Sequence, residues 1–388
     1  MASSRSGLRV LVVRPSALGD VFRTAPALAA LRESMPDARI DCVVPDGYQD
    51  ALRHHPAIDE VMGFARSVTG ATRGGWGLLC HFWSLARTLR QRNYDLVFDL
   101  QGLARSSLLT YLTRSPCRVG FSNARELGWL GYNRRHHVDP LLHHVVRLLH
   151  LLKAEGIGPS EDAQLYTGSD DEQWCASMMH ERGWSDGMFV CLAPTSQWGC
   201  KCWPIDRFVE IARRLVESDV AGGRIAVICG PGERSVVRPL LDAFPGADSA
   251  RIAAPATTVG QLMALIRRAS LVVSNDSAVA HAAVGFDRPA VCIFGPTDPS
   301  LVGPYRRQDM VVRPSVRDGL GSLGFYRQQG NDQTLISQVS VDEVWEKILD
   351  QLRTRGSAKG GPSVPTAGMV RAKRLWSTRT GRASSPDP

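Results

Sequence analysis

Five short segments of this sequence place acid, hydroxyl, ammonium or imidazole groups directly behind an apolar run, where a turn would present them at one edge of a sheet. The first is Ser16-Ala17-Leu18-Gly19-Asp20. Gly19 permits a tight turn and Asp20 opens the next helical segment. A carboxylate there can take a proton from a hydroxyl; it is equally an ordinary acid in a first helical turn, favoured by the helix dipole. The second runs from Asp99 to Arg105. Gln101 and Arg105 could bind hydroxyls or an acidic group, with helix capping and a surface arginine as the plain alternatives. In the third, Thr195-Ser196 precedes Lys201-Cys202-Trp203-Pro204. Two hydroxyls and an ammonium suit a diphosphate. Only five lysines occur, and Lys201 is the sole one between 154 and 346, although a surface loop lysine stays open as a reading.

The fourth segment, Gly230-Pro231-Gly232-Glu233, offers a carboxylate that could accept from both hydroxyls of a ribose, or simply a first-turn acid. The fifth, Ser274-Asn275-Asp276-Ser277-Ala278-Val279-Ala280-His281, is the most informative. Its small residues let backbone N–H groups approach a phosphate, and a helix N-terminus favours the phosphate's charge. Asp276 and Ser277 fall at that junction, where Asp276 could bind sugar hydroxyls. His281 lies one turn in, where a lone histidine is normally structural.

Several chemistries are not indicated. The segment after Val13 lacks the G-x-G-x-x-G spacing, so no dinucleotide cofactor is expected, and no other cofactor either. Histidines 136, 137, 143 and 144 cluster without a zinc spacing, Cys200 and Cys202 have no second pair, and no Asp-x-Asp follows a strand, so no metal is expected. The nine cysteines are scattered, several in apolar runs, and read as buried thiols of a reducing compartment.

The elements that must position these groups follow from hydrophobic patterning. Apolar runs at 8–15, 39–45, 59–65, 95–102 and 117–122, then at 188–195, 223–230, near 251–254, 270–276 and 289–296, alternate with helical-period stretches. Helices are expected at 144–156, 206–217, 233–244, 257–269, 277–285 and 341–353. Such alternation is the signature of doubly wound parallel sheets, and an α/β fold is predicted. A polar, turn-rich stretch at 158–172 reads as the linker, giving a first domain at 1–160 and a second at 161–355, with a low-complexity basic tail at 356–388 expected to be disordered. Ligands of open α/β sheets bind beyond the carboxyl ends of the strands, which is where all five segments fall.

Charge is uneven over the 388 residues. The first domain carries 20 Lys and Arg against 13 Asp and Glu, a net +7; the second carries 20 against 24, a net −4; the tail is +5. A basic first domain suits an acidic partner such as phosphate, a sugar carboxylate or an anionic membrane surface, and equally a solvated arginine-rich face. Nucleic acid is not expected, because no basic helix or base-stacking motif accompanies the charge. No run of eighteen apolar residues occurs, so no spanning helix is expected, and the start reads as cytoplasmic, without a signal peptide.

In order along the chain, SALGDVFRTAPAL, DLVFDLQGLARSS, YNRRHHV with a following HHVVR, KCWP, GPGE, NDSAVAH and FGPTDP resemble the motifs of the lipopolysaccharide heptosyltransferases, glycosyltransferase family 9, over about residues 8–350. Within that family they are most similar to the heptosyltransferase I branch. The resemblance implies the GT-B architecture, two facing Rossmann-like domains with parallel sheets, and an inverting, metal-independent transfer of heptose from a nucleotide diphosphate sugar, ADP-heptose, to a Kdo–lipid A type acceptor of the lipopolysaccharide inner core. It implies that Asp20 is the general base, that Lys201 with Thr195 or Ser196 contacts the diphosphate, and that Glu233 contacts the ribose. Asp276 and His281 match the donor site, and Arg105 matches a basic acceptor-side position. A cytoplasmic enzyme with a peripheral contact to the inner membrane fits that chemistry. A family member using another nucleotide sugar, a GT-B-fold nucleotide-sugar epimerase, or a silent nucleotide-sugar-binding protein are the rival readings.

Overall fold

The computed structural model describes residues 7–65, 75–315 and 330–358. Six strands form the first sheet: β1 (Arg9–Val13), β2 (Arg39–Pro45), β3 (Glu60–Phe64), β4 (Leu96–Asp99), β5 (Cys117–Phe121) and β6 (Arg134–His136). Six form the second: β7 (Val190–Ala193), β8 (Ile225–Val227), β9 (Ile252–Ala253), β10 (Leu271–Asn275), β11 (Ala290–Ile293) and β12 (Val311–Val312). Every pairing is parallel. The orders are β3-β2-β1-β4-β5-β6 and β12-β11-β10-β7-β8-β9. Counted from the first strand of each sheet, these are the same 3-2-1-4-5-6 arrangement, a Rossmann-like sheet occurring twice. The predicted α/β fold with two parallel sheets is what the chain adopts.

The helices are α1 (Leu18–Phe22), α2 (Ala25–Ser34), α3 (Gly75–Gln91), α4 (Ala104–Leu112), α5 (His144–Lys153), α6 (Ser169–Glu181), α7 (Ile205–Glu217), α8 (Arg234–Asp242), α9 (Val259–Arg268), α10 (Ala278–Gly285), α11 (Pro299–Val302) and α12 (Val341–Ala358). Their placement follows from strand alternation. In β1, Leu11 and Val13 point to one face and join Ala86 and Leu89 of α3 and Leu109 of α4 in a core of their own. Val10 and Val12 point to the other face. In the second sheet Val190, Leu192 and Val273 meet α7, α8 and α12, while Cys191, Ala193 and Val272 turn the opposite way. The inward sets from both sheets merge, through α2, α5, α6, α9 and α10, into one continuous core. That shared core fixes the first sheet against the second.

Four elements differ from the sequence reading. The edge strands β6 and β12, three and two residues long, have no apolar alternation to announce them; Arg-Arg-His of β6 is held by its ladder with β5 and by Glu155, which pairs with Arg134 and His136. Helix α6 starts inside the stretch read as linker. Its first turn, Asp170-Asp171-Glu172, is acidic and suits the helix dipole, while Cys175 and Met179 are buried beneath. The last helix continues to Ala358, past the expected stop at 353. The tail expected beyond 356 otherwise lies outside the described residues.

Each sheet changes winding direction between its first and fourth strands, β1/β4 and β7/β10. Both crevices open where α1 crosses α10. The crossing is close: a Cβ on Gly19 would stand 3.0 Å from the His281 ring and 3.4 Å from the Ala278 Cα. Gly19 is needed there for proximity rather than for a positive φ.

Candidate active site

On the first-sheet side, Asp20 sits in the single acidic turn of α1. The Ser16 hydroxyl and the Arg23 guanidinium donate to its carboxylate. Arg14 lies 3.6 Å from the same carboxylate and His144 Nδ1 3.4 Å. Arg14 is 1% exposed and also donates to the Leu100 carbonyl at the end of β4. Burial would raise the Asp20 carboxyl, but Arg14, Arg23, His144 and the Ser16 hydroxyl outweigh it and hold the group well below the usual carboxylate range. Burial, then Arg23 and Arg14, push His144 well below the usual imidazole range despite Asp20. At neutral pH this corner therefore holds an ionised carboxylate beside a neutral imidazole, able to receive a proton from a hydroxyl.

On the second-sheet side, Lys201 occupies a single 3-10 turn after β7. Its Nζ lies 2.7 Å from Asp276 Oδ2, and the Thr297 hydroxyl donates to the same oxygen at 2.7 Å. Burial raises the Asp276 carboxyl, and Lys201 outweighs it, so the net direction is down. Ser196 Oγ donates to the Asp276 carbonyl at 3.1 Å. Asn275 ties the strand ends together, donating to the Pro194 carbonyl at 2.7 Å and accepting from the Trp203 N–H at 3.0 Å. The loops after β7 and β10 are thereby locked to each other. Thr195 is half-buried at the end of β7. The Ser277 hydroxyl, at the N-cap of α10, is buried with no hydrogen-bond partner. Glu233 stands at the N-cap position of α8 and accepts the Gly230 N–H at 2.6 Å, facing its own loop; burial, and after it the Glu233 charge, raise the nearby Cys202 thiol.

One imidazole joins the two sides. His281 is buried, and its burial pushes it down to about 3, with Arg23 lowering it further and both Asp276 and Asp20 opposing. Asp20 and the Lys201–Asp276 pair thus face one histidine within one crevice. Around them the domains are clasped: Arg23 donates to the Val302 carbonyl at 3.2 Å, and His143 stacks on Tyr305 and lies 3.1 Å from the Gly303 carbonyl.

Gln101 and Arg105 lie farther along the same sheet edge. The Gln101 N–H donates to buried Asp99 at 2.8 Å, and its Oε1 is buried without a partner. Arg105 is exposed, with its guanidinium 5.9 Å from the Phe64 ring centroid.

The structure adds Arg14, Arg23, His143, His144 and Thr297 to the sequence list. Arg14 and Arg23 flank the Asp20 segment and could have been read as its counter-charges. The histidine cluster hid the others, because it splits: His136 pairs with Glu155 at 2.6 Å, while His144 turns to Asp20. Among the described residues, no three His, Cys, Asp or Glu side chains converge with metal spacing. Cys202 instead donates to the Ser196 and Trp198 carbonyls at 3.7 and 3.6 Å. All nine cysteines are free thiols, but the expected burial holds for five of them: Cys117, Cys202 and Cys229 are half-buried and Cys80 is exposed.

The buried histidines set an acid limit on stability. In the folded protein His281 is pushed down to about 3 and His55 to about 4, from an ordinary value of 6.5. The unfolded chain binds those protons first, so their contribution is complete above the ordinary value and is lost as pH falls toward the folded values. His143 and His144 shift in the same direction. Each fully titrating histidine adds a slope of about 1.4 kcal/mol per pH unit. Urea midpoints should therefore fall steadily as pH drops from about 7 to about 5, before ordinary carboxylates titrate; a flat midpoint over that range would contradict the neutral, buried assignment.

Comparison with known proteins agrees with this geometry. The model of "Glycosyltransferase family 9 (heptosyltransferase)" matches residues 82–318. The chain is 28% identical over 340 residues to lipopolysaccharide heptosyltransferase 1 of Escherichia coli K12, covering 86% of this chain and 99% of that protein. Among solved structures, a family 9 glycosyl transferase from Veillonella parvula superposes with a TM-score of 0.78 at 21% identity, covering 91% and 99% of the two chains. An E. coli heptosyltransferase with ADP-2-deoxy-2-fluoro heptose gives 0.67 at 25% identity, covering 88% and 99%. These neighbours have the GT-B architecture expected of two facing Rossmann-like sheets. With the family model spanning more than half of its length, the chain belongs to glycosyltransferase family 9 and is a glycosyltransferase of the heptosyltransferase type.

Proposed function

We propose that this enzyme transfers heptose from ADP-heptose to a Kdo–lipid A type acceptor of the lipopolysaccharide inner core, inverting the anomeric centre in one displacement without a metal. Residues 1–160 form the acceptor domain in this reading and 161–355 the donor domain. It works on the cytoplasmic side of the inner membrane. The observation that carries the proposal is the close crossing of α1 and α10, where Asp20 from the first sheet and Asp276, paired with Lys201, from the second both act on the buried His281. The relatives named above support the sugar and the nucleotide.

In the reaction the acceptor hydroxyl attacks the anomeric carbon, the bond from that carbon to the diphosphate oxygen breaks, and the electron pair leaves with ADP. Asp20 receives the hydroxyl proton. The departing diphosphate gains negative charge, which Lys201 and the N-terminus of α10 at Ser277 are placed to neutralise. Thr195 and Ser196 donate to phosphate oxygens, and Glu233 turns from its own loop to the ribose hydroxyls. Asp276 orients Lys201, and with His281 borders the sugar. Gln101 and Arg105 receive the hydroxyls and acidic groups of the acceptor.

A donor screen tests this directly. Calorimetry with adenosine, uridine and guanosine diphosphate sugars should give binding for the adenosine series alone, with turnover only when a Kdo–lipid A type acceptor is added. Preference for uridine or guanosine would reassign the donor, and donor consumption without acceptor would replace transfer by epimerisation.

A further inference from the structure

From Gly75 to Arg125 the chain contains seven arginines and two acids, Asp95 and Asp99; Arg92 is paired with Asp41 and Glu60, which leaves six arginines for the surface. Asp99 is fully buried, and Asp95, although exposed, precedes β4 and lies outside both α3 and α4, where it accepts the backbone N–H of Arg9 at 2.8 Å. This stretch builds the outer face of the first domain, formed by α3, α4 and the 3-10 turn Gly128–Gly131 that packs on α4. Helices α3 and α4 contain no acidic residue at all. Glu126, the next acid along the chain, is turned toward the Ala104 N–H at 3.3 Å.

The same face is the apolar one. Seven of the nine large hydrophobic side chains exposed among the described residues belong to the first domain. Leu79 and Trp83 follow each other by one turn on the outward side of α3; Leu108 and Tyr111 do so on α4; Leu127 and Leu130 stand on the adjoining turn. Trp83 is 55% exposed and Leu127 65%. These side chains are not needed for the core, because α3 and α4 already bury Ala86, Leu89 and Leu109 on their inner sides. The two helical stripes are neighbours. Trp83 packs edge-on against Phe82, Phe82 against Phe64, and Arg105 covers Phe64. Guanidiniums interleave with the aromatics: Arg118 lies over Tyr111 and Arg135 over Trp129.

We propose that this face docks on an anionic phospholipid bilayer, with Leu79, Trp83, Leu108 and Tyr111 entering the headgroup boundary and the arginines pairing with lipid phosphates. Leucines and tryptophan ringed by guanidiniums match the interfacial zone, where aromatic rings sit at headgroup level and long basic side chains reach the phosphates. A charge of one sign spread over two helices favours a fluid anionic sheet over a partner with fixed carboxylates. No helix among the described residues is long and apolar enough to cross a membrane, so the contact lies on the surface. Helix α4 starts at the crevice edge, so the docked face adjoins the opening beside Asp20. The inference rests on the transferase reading only for its use, the delivery of a lipid-linked acceptor.

The test uses the full chain and vesicles free of donor and acceptor. The protein should co-float with phosphatidylglycerol-containing vesicles, not with phosphatidylcholine alone, and be released by high salt. L79S/W83S and R87E/R90E should each lower vesicle partitioning by about tenfold or more. All four side chains are exposed, so both variants should keep the parental circular dichroism and melting temperature. L79S/W83S should also keep parental turnover on a lipid-free acceptor. Parental protein that ignores anionic vesicles, or two variants that bind like the parent, would overturn the proposal. So would a parental dimer that W83S dissociates, which would give the face to a second copy. Absence of turnover in a parent that binds vesicles would count against the transferase reading alone.

Discussion

Replacing Asp20 by Asn is expected to lower turnover by about 10²–10⁴, or about 2.7–5.4 kcal/mol of barrier, while leaving nucleotide-sugar affinity nearly unchanged. The asymmetry follows from where the residue sits. Asp20 belongs to the first-sheet side of the crevice, and the diphosphate groups proposed for Lys201 and α10 belong to the second. Asparagine keeps the shape and can still accept from Ser16 and Arg23, but it cannot receive a proton. Alanine is the less informative change, because Arg14 and Arg23 would lose their nearest carboxylate and part of the loss would come from the fold. The low proton affinity of Asp20 does not argue against the role. The acceptor hydroxyl becomes acidic only as its bond to the anomeric carbon forms, so a carboxylate that is always ionised can take the proton late in that step. Single-turnover rates and calorimetry on Asp20→Asn are the measurements. Turnover within about threefold of the parent would remove Asp20 from proton transfer.

Much of the architecture was legible because it is written as period. Fully apolar runs such as RVLVV and LVVSN, each followed by small and polar residues, specify central parallel strands ending in site loops. Asp20, Lys201, Asp276 and His281 stood out for the same reason, since each follows one of those runs. The missing parts are contacts between segments distant in sequence. Thr297 reaches Asp276 from another strand end, and His144 reaches Asp20 across 124 positions. Nothing local marks them. Arg14 is an intermediate case: its place beside the Asp20 segment suggests a counter-charge, but its 1% exposure depends on Leu100, from another strand end, meeting its guanidinium. Edge strands β6 and β12 were invisible for a related reason: three and two residues are too short to show a period, and β6 is held by its neighbour's ladder and by Glu155, nineteen positions beyond His136.

The second large effect should come from Lys201, and it separates structure from chemistry. The ammonium and Asp276 are both nearly enclosed and 2.7 Å apart. Replacing Lys201 by Met leaves a buried carboxylate that has lost its ammonium and keeps the Thr297 hydroxyl donating to Oδ2. Breaking such a pair from one side costs about 3–5 kcal/mol, because the remaining charge stays desolvated. The Lys201→Met variant should therefore unfold at markedly lower denaturant, and its turnover should fall by about 10²–10³ through loss of the charge facing the leaving diphosphate. Adding Asp276→Asn removes the orphaned charge. The double variant should regain most of the stability while turnover stays low, since neutralising the pair does nothing for the diphosphate. Denaturation midpoints and turnover measured on the same three proteins decide the matter. Recovery of turnover along with stability in the double variant would reduce Lys201 to a structural counter-ion, and the transition-state role would pass to the helix N-terminus at Ser277.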